Sequence, residues 1–313
     1  MVFSIVIPAR NEEENIGKLI RSIFDQSYRP IEIILVDDGS NDDTLKIARD
    51  LKKELSCKDF TINIFETGKD TPFKGAWAAR NLGVIEAKGE YILISDADYQ
   101  LIQKDTLTKI GEELADNQVV SFYLRPIIDN KLENNLVLDF NPKTRPFYCA
   151  YQSEVIKKVP PDPKIGVGGD WDLSKRLGES GLIKKQAIVE VEVGVHWPHT
   201  YSEYLSQRFW RGRTAWLIVK KYPTANVLFK RILFPISTFG LFFLSIVSLL
   251  IDLRLSMVFT SIFLLLALFL FLRSPAKNLD RLLHIILVRF ILGSFVWCVA
   301  TVYGFYQFVI RVP

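Results

Sequence analysis

Closely spaced aspartates occur at three places in the sequence, each beside glycine or alanine. The segments are Asp37–Ser40 (DDGS), Asp96–Asp98 (DAD) and Gly168–Leu173 (GGDWDL). Carboxylates accept hydrogen bonds from a base N–H or a ribose hydroxyl, ligate hard cations such as Mg²⁺ or Mn²⁺, and take protons from hydroxyl groups. The three segments therefore indicate nucleotide binding, metal binding and general base catalysis.

Each of these motifs also has a structural interpretation. DDGS is a good turn and helix cap, and DAD fits a polar turn after a strand. Asp170 and Asp172 begin a predicted helix, where they favour its dipole. In favour of a site, side chains repeat with period two along a strand, so Asp96 and Asp98 can point the same way and bind one cation. Taken singly, the residues leave both interpretations open.

Basic and imidazole side chains add three further candidates. Lys74 lies at a loop-to-helix junction in KGAWAARNLG, where free backbone N–H groups attract anions. Arg80 lies deeper in the same helix and can reach a diphosphate, although both residues also suit a solvated helical face. His196, in VHWPHT, follows a predicted strand and suits either a metal ligand or a structural role.

Alternating strand and helix patterns position these residues. Short runs rich in β-branched or aromatic residues predict buried strands at Val2–Pro8, Ile31–Val36, Thr61–Phe65 and Tyr91–Ile94. Helical patterns lie between them at Glu13–Asp25, Asp42–Leu55 and Lys74–Ala87. This order predicts an α/β fold with right-handed crossovers and a doubly wound sheet.

Ligands of such sheets bind beyond the carboxyl ends of the strands, which selects the loops Ala9–Glu12, Asp37–Ser40 and Asp96–Gln100. The next part of the chain is less regular. It predicts strands at Val119–Leu124, Phe147–Gln152 and Gln186–Val193, and a helix at Asp170–Ser180.

The motifs PARNEEENI, DDGSNDDT, KGAWAARNLG, DADYQ and GGDWDLSKRLGESG follow one another in this order. As a set they resemble the family 2 glycosyltransferases of the GT-A fold, from Met1 to about Arg213. The resemblance implies a Rossmann-like catalytic domain with a mostly parallel sheet. It also implies an inverting transfer of a sugar from a UDP- or GDP-activated donor with Mg²⁺ or Mn²⁺ as cofactor.

The resemblance assigns five residues to the nucleotide. Pro8, Arg10 and Glu12 would line the nucleotide pocket. Asp38 would hold the base or ribose, and Asp96 would contact the ribose. These five, with Lys74 and Arg80, make up the expected donor site.

The remaining site residues follow from the same resemblance. Asp98 would ligate the metal, His196 would join it there, and Asp170 would be the catalytic base. Two positions depart from the family pattern. Gly169 replaces the acidic residue that often precedes the base, and Trp210 stands in the arginine position of the Gln-x-x-Arg-Trp motif of processive polysaccharide synthases. The second departure argues against a processive synthase.

Three uncharged apolar runs follow the catalytic part, at about 232–251, 255–272 and 290–310. Each approaches the roughly 20 residues that cross a bilayer, which predicts an α-helical transmembrane region; buried core helices are the alternative. Basic residues before the first run, among them Lys220, Lys221, Lys230 and Arg231, predict an integral membrane protein of the plasma-membrane type with a cytoplasmic catalytic domain.

The expected domains are therefore 1–200 for the catalytic part, 201–231 for a connecting segment and 232–313 for the membrane region. The connecting segment carries apolar residues at helical spacing together with arginines and tryptophans, which predicts an interfacial amphipathic helix. Arg208 and Arg211 of this helix are candidates to bind the phosphate of a lipid acceptor.

The expected reaction is thus transfer to a membrane-embedded, lipid-linked acceptor, either a polyprenyl phosphate or a lipid-linked saccharide. The DADYQ motif and the expected cytoplasmic topology resemble those of the polyprenyl- and dolichyl-phosphate sugar synthases. The alternative is a non-catalytic scaffold that binds a nucleotide-sugar. A net charge of +4 gives no indication of nucleic-acid binding, and three widely spaced cysteines imply neither a disulfide framework nor a zinc site.

Overall fold

The computed structural model describes residues 1–127, 148–196, 200–224, 226, 233–249, 253–272, 295–296, 298–301 and 303. These residues belong to two compact units, one up to residue 196 and one from residue 200 onward. The first unit contains the strands, and the second is helical. The predicted domain boundaries at 200 and 231 stay predictions.

A mixed sheet forms the centre of the first unit. Its strands within the described residues are β1 (Phe3–Ala9), β2 (Ile31–Asp37), β3 (Phe60–Glu66), β4 (Tyr91–Ile94), β5 (Tyr99–Leu101), β6 (Val119–Ile127), β7 (Tyr148–Gln152) and β8 (Gln186–His196). Their order across the sheet is β3-β2-β1-β4-β7-β6-β8-β5. The first four are parallel neighbours, whereas β7 runs antiparallel to both β4 and β6. The predicted α/β class is confirmed, and the sheet is mixed rather than mostly parallel.

Helices alternate with the strands in the first unit. They are α1 (Ile16–Phe24), α2 (Thr44–Leu55), α3 (Ala76–Glu86), α4 (Thr106–Asp116), α5 (Ser153–Lys158) and α6 (Gly169–Glu179). α1 buries Ile16, Leu19 and Ile23, the apolar stripe that its sequence predicts. α4, α5 and the short strand β5 had no predicted counterpart.

The strands β1 and β2 are buried along their whole length because helices pack against the sheet. α3 lies especially close to β1. A Cβ atom added to Gly83 of α3 would stand 2.3 Å from Cγ1 of Val6, so only glycine permits this approach. The close packing fixes α3 on the sheet, and with it the helix start that carries Trp77 and Arg80.

The second unit contains α7 (Tyr201–Lys221), α8 (Phe234–Leu249) and α9 (Leu253–Leu272). α8 and α9 pack together, with the Phe242 and Phe263 rings 5.7 Å apart and the Ser256 hydroxyl donating to the Ser245 carbonyl at 2.9 Å. Of the predicted spans, 232–251 and 255–272 overlap these two helices, while most of 290–310 lies outside the described residues.

None of the helices within the described residues combines the length and the apolar content that crossing a bilayer requires. The predicted integral membrane location with a cytoplasmic catalytic domain is therefore wrong. The prediction rested on apolar composition, which does not fix helix length. α8 has 16 residues and rises only about 24 Å, whereas a bilayer core is about 30 Å thick.

Candidate active site

The carboxyl ends of three parallel strands meet at one edge of the sheet. The register pairs Ala9 at the end of β1 with Asp37 at the end of β2, and Val6 with Ile94 at the end of β4. The loops after these strands are the three that the sequence selected. Consecutive parallel strands thus bring PARNEEEN, DDGS and DAD together.

The two aspartates of DDGS have different roles. The Asp37 carboxylate accepts hydrogen bonds from the backbone N–H groups of Gly39 and Ser40 at 3.0 and 3.1 Å, so it closes the turn. The Asp38 carboxylate points instead across the sheet edge and accepts from the Thr67 hydroxyl at 2.6 Å and from the Gly75 N–H at 2.7 Å. Asp37 therefore fits the structural interpretation, and Asp38 stays the candidate ligand-binding group.

A set of hydrogen bonds ties the loop after β1 to the loop after β2. Asn11, in the left-handed region with φ of 55°, accepts from the Asn41 N–H through its side-chain oxygen at 2.9 Å. Its own N–H donates to the Ser40 hydroxyl at 3.0 Å, and the Glu12 N–H donates to the Thr44 hydroxyl at 2.7 Å. Neither loop moves without the other, so the pocket wall is preorganised.

The other predicted nucleotide residues lie around this wall. Pro8 is buried in β1 opposite Val36 and therefore contributes shape rather than a polar group. Arg10 is 58% exposed, with its guanidinium 3.7 Å from the Asp38 carboxylate. Lys74 is exposed just before α3, and its chain passes Gly68.

Arg80 pairs with Asp96 at the start of DAD. The ion pair is partly buried, with the two side chains 13% and 27% exposed. The Arg80 guanidinium also lies 4.6 Å from the centre of the Trp77 ring, one helical turn earlier on α3. A cation is therefore held beside the carboxylates of DAD, next to an aromatic ring.

Asp98 is the most unusual group at this edge. Its Oδ1 atom is buried and makes no hydrogen bond within the described part of the chain. Burial raises the pKa of the Asp98 carboxyl well above its ordinary 3.8, and the charges of Asp96 and Glu12 raise it further. Burial likewise raises the pKa of Glu12, with Asp96 and Asp42 adding to the effect. Three acidic groups thus influence one another here, and the Arg80 guanidinium is the positive charge that opposes their effect on Asp98.

A divalent cation fits this arrangement. A buried carboxylate oxygen without a partner and with a raised pKa needs a cation in order to ionise. Oxygen is also the ligand that Mg²⁺ and Mn²⁺ prefer, and such ions often combine one or two protein carboxylates with substrate phosphates. No group of three or more metal-ligating side chains occurs in the described residues.

His196 ends β8 beside this carboxylate cluster. β8 runs antiparallel to β5, with Val195 paired to Tyr99, so the next residues along the two strands are His196 and Asp98. The backbone thus brings the two predicted metal ligands to adjacent strand positions, while the His196 side chain lies outside the described part of the structure.

The two aspartates of GGDWDL again differ. Asp172 is fully buried and accepts from Nε of Arg176 at 2.9 Å, so it is a structural ion pair. Asp170 is exposed in the first turn of α6. Gly169, which begins the helix, lies directly against the Trp77 ring. Asp170 remains the candidate base, available to solvent and substrate.

Arg208 and Arg211 lie on α7 in the second unit. The Arg208 side chain donates through Nε to the Tyr204 hydroxyl at 3.0 Å and lies 5.0 Å from the centre of that ring. These contacts lie within α7 itself, and the predicted role of both arginines stays a prediction.

Three residues of the site had been given no role from the sequence: Asn11, Thr67 and Trp77. Trp77 stands one helical turn before Arg80, a spacing that brings side chains together on a helix, so this signal was present. Thr67 contacts Asp38 only through the pairing of β2 with β3, which the local sequence does not specify.

The first half of the chain resembles known proteins. Residues 4–159 match the family described as Glycosyl transferase family 2. An uncharacterized glycosyltransferase of Haemophilus influenzae is 35% identical over 119 residues, 38% of this chain and 44% of that protein. The poly(ribitol-phosphate) beta-N-acetylglucosaminyltransferase TarS of Staphylococcus aureus is 34% identical over 109 residues, 34% of this chain and 18% of that protein. The chain thus spans less than half the length of these two relatives.

A solved structure shares the fold over a longer stretch. The mannosyltransferase PcManGT from Pyrobaculum calidifontis, in complex with GDP-Man and Mn²⁺, superposes with a TM-score of 0.53 at 20% identity. The superposition covers 98% of this chain and 86% of that one. At this identity the likeness shows the fold alone, a mixed α/β GT-A fold.

In its fold and in its matched segment the chain is similar to the glycosyltransferases of this family. The segment that matches Glycosyl transferase family 2 makes up just under half of the chain. Fold and family leave open the sugar, the nucleotide and the acceptor.

Proposed function

We propose that this protein transfers a sugar, with inversion at its anomeric carbon, from a UDP- or GDP-sugar to an acceptor, with the help of a divalent cation held at Asp98. The observation that carries the proposal is the buried, unpartnered Oδ1 of Asp98, with Asp96 and Glu12 as acidic neighbours. A protein gains nothing in stability from such a group, so its presence favours a functional role.

The nucleotide would bind at the sheet edge where β1 and β2 end. Asp38 is buried there, and its carboxylate is oriented by Thr67 and by the Gly75 N–H, which leaves Oδ2 near the Arg10 guanidinium. A fixed carboxylate of this kind suits a base N–H or a ribose hydroxyl. Asp96, held by Arg80, would contact the ribose from the neighbouring strand.

The diphosphate would lie beside DAD. Asp98, with His196 at the adjacent strand position, would hold Mg²⁺ or Mn²⁺, which when bound offsets the negative charge of the departing diphosphate. Lys74 and Arg80 would add positive charge at the start of α3. Two observations support the cation: burial and the charges of Asp96 and Glu12 raise the pKa of the Asp98 carboxyl, and its Oδ1 has no hydrogen-bond partner within the described residues.

Asp170 would take the proton from an acceptor hydroxyl. The acceptor oxygen then forms a bond to the anomeric carbon as the bond from that carbon to the diphosphate oxygen breaks, and the nucleoside diphosphate leaves. The exposure of Asp170 at the start of α6 supports this role, because an acceptor can reach it. If the acceptor is a phosphate, its oxygen is already ionised, and Asp170 would serve to position it.

The acceptor part of the proposal is a lipid-linked molecule, either a polyprenyl phosphate or a lipid-linked saccharide, bound through Arg208 and Arg211. Support comes from the spacing of these arginines on α7 and from the contacts that orient Arg208 on Tyr204. We expect Arg208→Ala and Arg211→Ala to raise the Michaelis constant for a lipid acceptor and to leave that for the donor unchanged. Unchanged constants for the lipid acceptor would remove this part.

A screen of donors tests the proposed function. UDP- and GDP-sugars are incubated with purified protein and Mn²⁺ or Mg²⁺, with and without polyprenyl phosphate, and nucleoside diphosphate release and product formation are measured. We expect metal-dependent turnover of one donor. Absence of turnover with every donor and acceptor, together with retained nucleotide binding, would instead support the non-catalytic scaffold.

Two variants assign the roles. We expect Asp170→Asn to lower kcat by about 10²–10⁴-fold for a hydroxyl acceptor, the usual contribution of a general base, with little change in the Michaelis constant for the donor. Asp98→Asn should abolish the dependence on metal. Asp37→Asn, whose carboxylate only closes a turn, is the matched control for effects on folding.

A further inference from the structure

The start of α6 is packed against an aromatic ring. A Cβ atom added to Gly169 would stand 2.2 Å from Cε2 and 2.4 Å from Cδ2 of Trp77, well below any real contact of a Cβ atom. The backbone conformation does not explain this glycine, because the positive φ values belong to its neighbour Gly168 and to other glycines. Residue 169 is therefore glycine because the indole occupies the space of a side chain.

The same ring contacts the cation that pairs with DAD. The Arg80 guanidinium lies 4.6 Å from the centre of the Trp77 ring and forms its ion pair with Asp96. One indole thus contacts both the residue before Asp170 and the partner of Asp96. α3 itself is fixed on β1 through Gly83, so the ring has a rigid base.

Within the described residues, the Asp170 carboxylate has no hydrogen-bond or ion-pair partner that would hold it in place. Its location follows from the backbone at the start of α6. The close contact between Gly169 and Trp77 packs this part of the backbone against α3, ahead of the core contacts of Leu173 and Leu177 further along the helix. The position of the Trp77 ring therefore influences the distance between Asp170 and the Arg80–Asp96 pair.

We propose that Trp77 is a positioning residue for catalysis, and that Trp77 and Gly169 form a matched large–small pair that sets the separation of Asp170 from the donor-binding pair Arg80–Asp96. The inference rests on the proposed function and deepens it. It also explains why the acidic residue that often precedes the base in this family is absent here, since any side chain at residue 169 would displace the ring.

The size of the effect follows from the geometry. Ordinary contact begins at 3.4 Å, so a methyl group at residue 169 must push the helix start or the ring away by more than 1 Å from a separation of 2.2 Å. A displacement of about 1 Å in an active site costs about 10²-fold in rate. We therefore expect Gly169→Ala to lower kcat about 10²-fold, with the Michaelis constant for the donor changed by less than about threefold.

A double-variant cycle tests the pair. The kcat, the donor Michaelis constant and the melting temperature are measured for the wild type, Gly169→Ala, Trp77→Ala and the double variant. Once Trp77→Ala has opened the space, we expect Gly169→Ala to cost less than about threefold in kcat, instead of about 10²-fold. The melting temperature should show the same coupling. Gly178→Ala, in the same helix with nothing within 4 Å of its added Cβ, is the matched control and should leave kcat unchanged.

Equal losses of kcat from Gly169→Ala in the two backgrounds would overturn the inference while leaving the proposed function intact. So would a Gly169→Ala protein with wild-type kcat. A wild-type protein that turns over no donor would overturn the proposed function and the inference with it. Trp77→Leu, which keeps an apolar side chain, replaces Trp77→Ala in the cycle if that variant does not fold, with the same expected coupling.

Discussion

Neutralising Asp98 should stabilise the metal-free protein while destroying its activity. The Asp98 carboxyl group is buried, lacks a partner for Oδ1 within the described residues and lies near the charges of Asp96 and Glu12. Asp98→Asn keeps a polar side chain but removes the buried negative charge and its repulsion by Asp96 and Glu12, and we take about 2 kcal/mol as the gain, within the about 1–3 kcal/mol cost of an unsatisfied buried group. For a domain of this size, about 2 kcal/mol raises the melting temperature by about 4–8 °C.

The assay is thermal unfolding at pH 7 in the presence of a chelator, followed by circular dichroism. Asp172→Asn is the matched comparison, because Asp172 is also buried but is paired with Arg176. Removing that charge leaves the guanidinium without its partner, so the same substitution should lower the melting temperature there. Two buried aspartates should thus respond with opposite signs.

Metal and nucleotide should reverse the order. Mn²⁺ with a nucleoside diphosphate at about 100 times its dissociation constant stabilises the wild type by about 2.7 kcal/mol, and Asp98→Asn should lose most of this gain. Turnover should fall by about 10³-fold, equivalent to about 4 kcal/mol of lost charge stabilisation. A metal-free Asp98→Asn protein that melts below the wild type would refute the reasoning, because Asp98 would then be stabilised by a partner.

Three further results are expected. Burial and the charges of Asp96 and Glu12 raise the pKa of Asp98, so the stability that this group contributes to the metal-free protein is complete below about pH 3.8 and is lost as the pH rises through the raised pKa. The free energy of unfolding, measured from pH 4 upward, should therefore fall with pH in the wild type and fall less in Asp98→Asn. An identical pH profile in both proteins would contradict this. Asn11→Ala should cost about 1–3 kcal/mol in urea unfolding, since the left-handed backbone and the hydrogen bond to Asn41 are both affected, whereas Asn11→Gly should cost less; equal costs would exclude backbone strain. Glu32 lies at the start of β2, at the end of the strand away from the site. Glu32→Gln should lower the free energy of unfolding by about 1–3 kcal/mol, because it weakens the hydrogen bonds with Ser4 and Gly89, and it should leave the donor Michaelis constant unchanged.

The parallel half of the sheet was predictable because its strands are continuous apolar runs between turn signals. β1 was predicted at Val2–Pro8 and lies at Phe3–Ala9, and β4 was predicted at its observed bounds. The meeting of PARNEEEN, DDGS and DAD at one edge then follows from the geometry of parallel strands. Local sequence carries this information, since burial on both faces demands such runs.

The remaining parts depend on contacts between distant segments. β5 is three residues long and exists through its pairing with β8, so Tyr99–Leu101 offered no strand signal of its own. Asp98 directly precedes β5, and its buried Oδ1 without a hydrogen-bond partner is a feature of the folded chain that the local sequence does not show. Gly169 was recognised only as a departure from the family pattern, because its reason, the Trp77 ring, lies on another helix.

For the apolar runs, the sequence predicted a feature that the structure does not contain within the described residues. Their composition was clear from the sequence, but it does not state where helices begin and end. α8 is described over Phe234–Leu249, 16 residues, and no helix of the described segments meets the requirements for crossing a bilayer. The span prediction was wrong, since it inferred membrane crossing from composition alone.

The central claim is that the edge formed by the ends of β1, β2 and β4 binds a nucleoside diphosphate together with a divalent cation at Asp98. Calorimetric titration of UDP and of GDP into the full chain, with Mn²⁺ and with chelator, tests it most directly. We predict that one nucleotide binds tightly with Mn²⁺, at least about tenfold more weakly with chelator, and equally weakly to Asp98→Asn under both conditions. Binding that is the same with and without Mn²⁺, and the same in the wild type and the variant, would contradict the account.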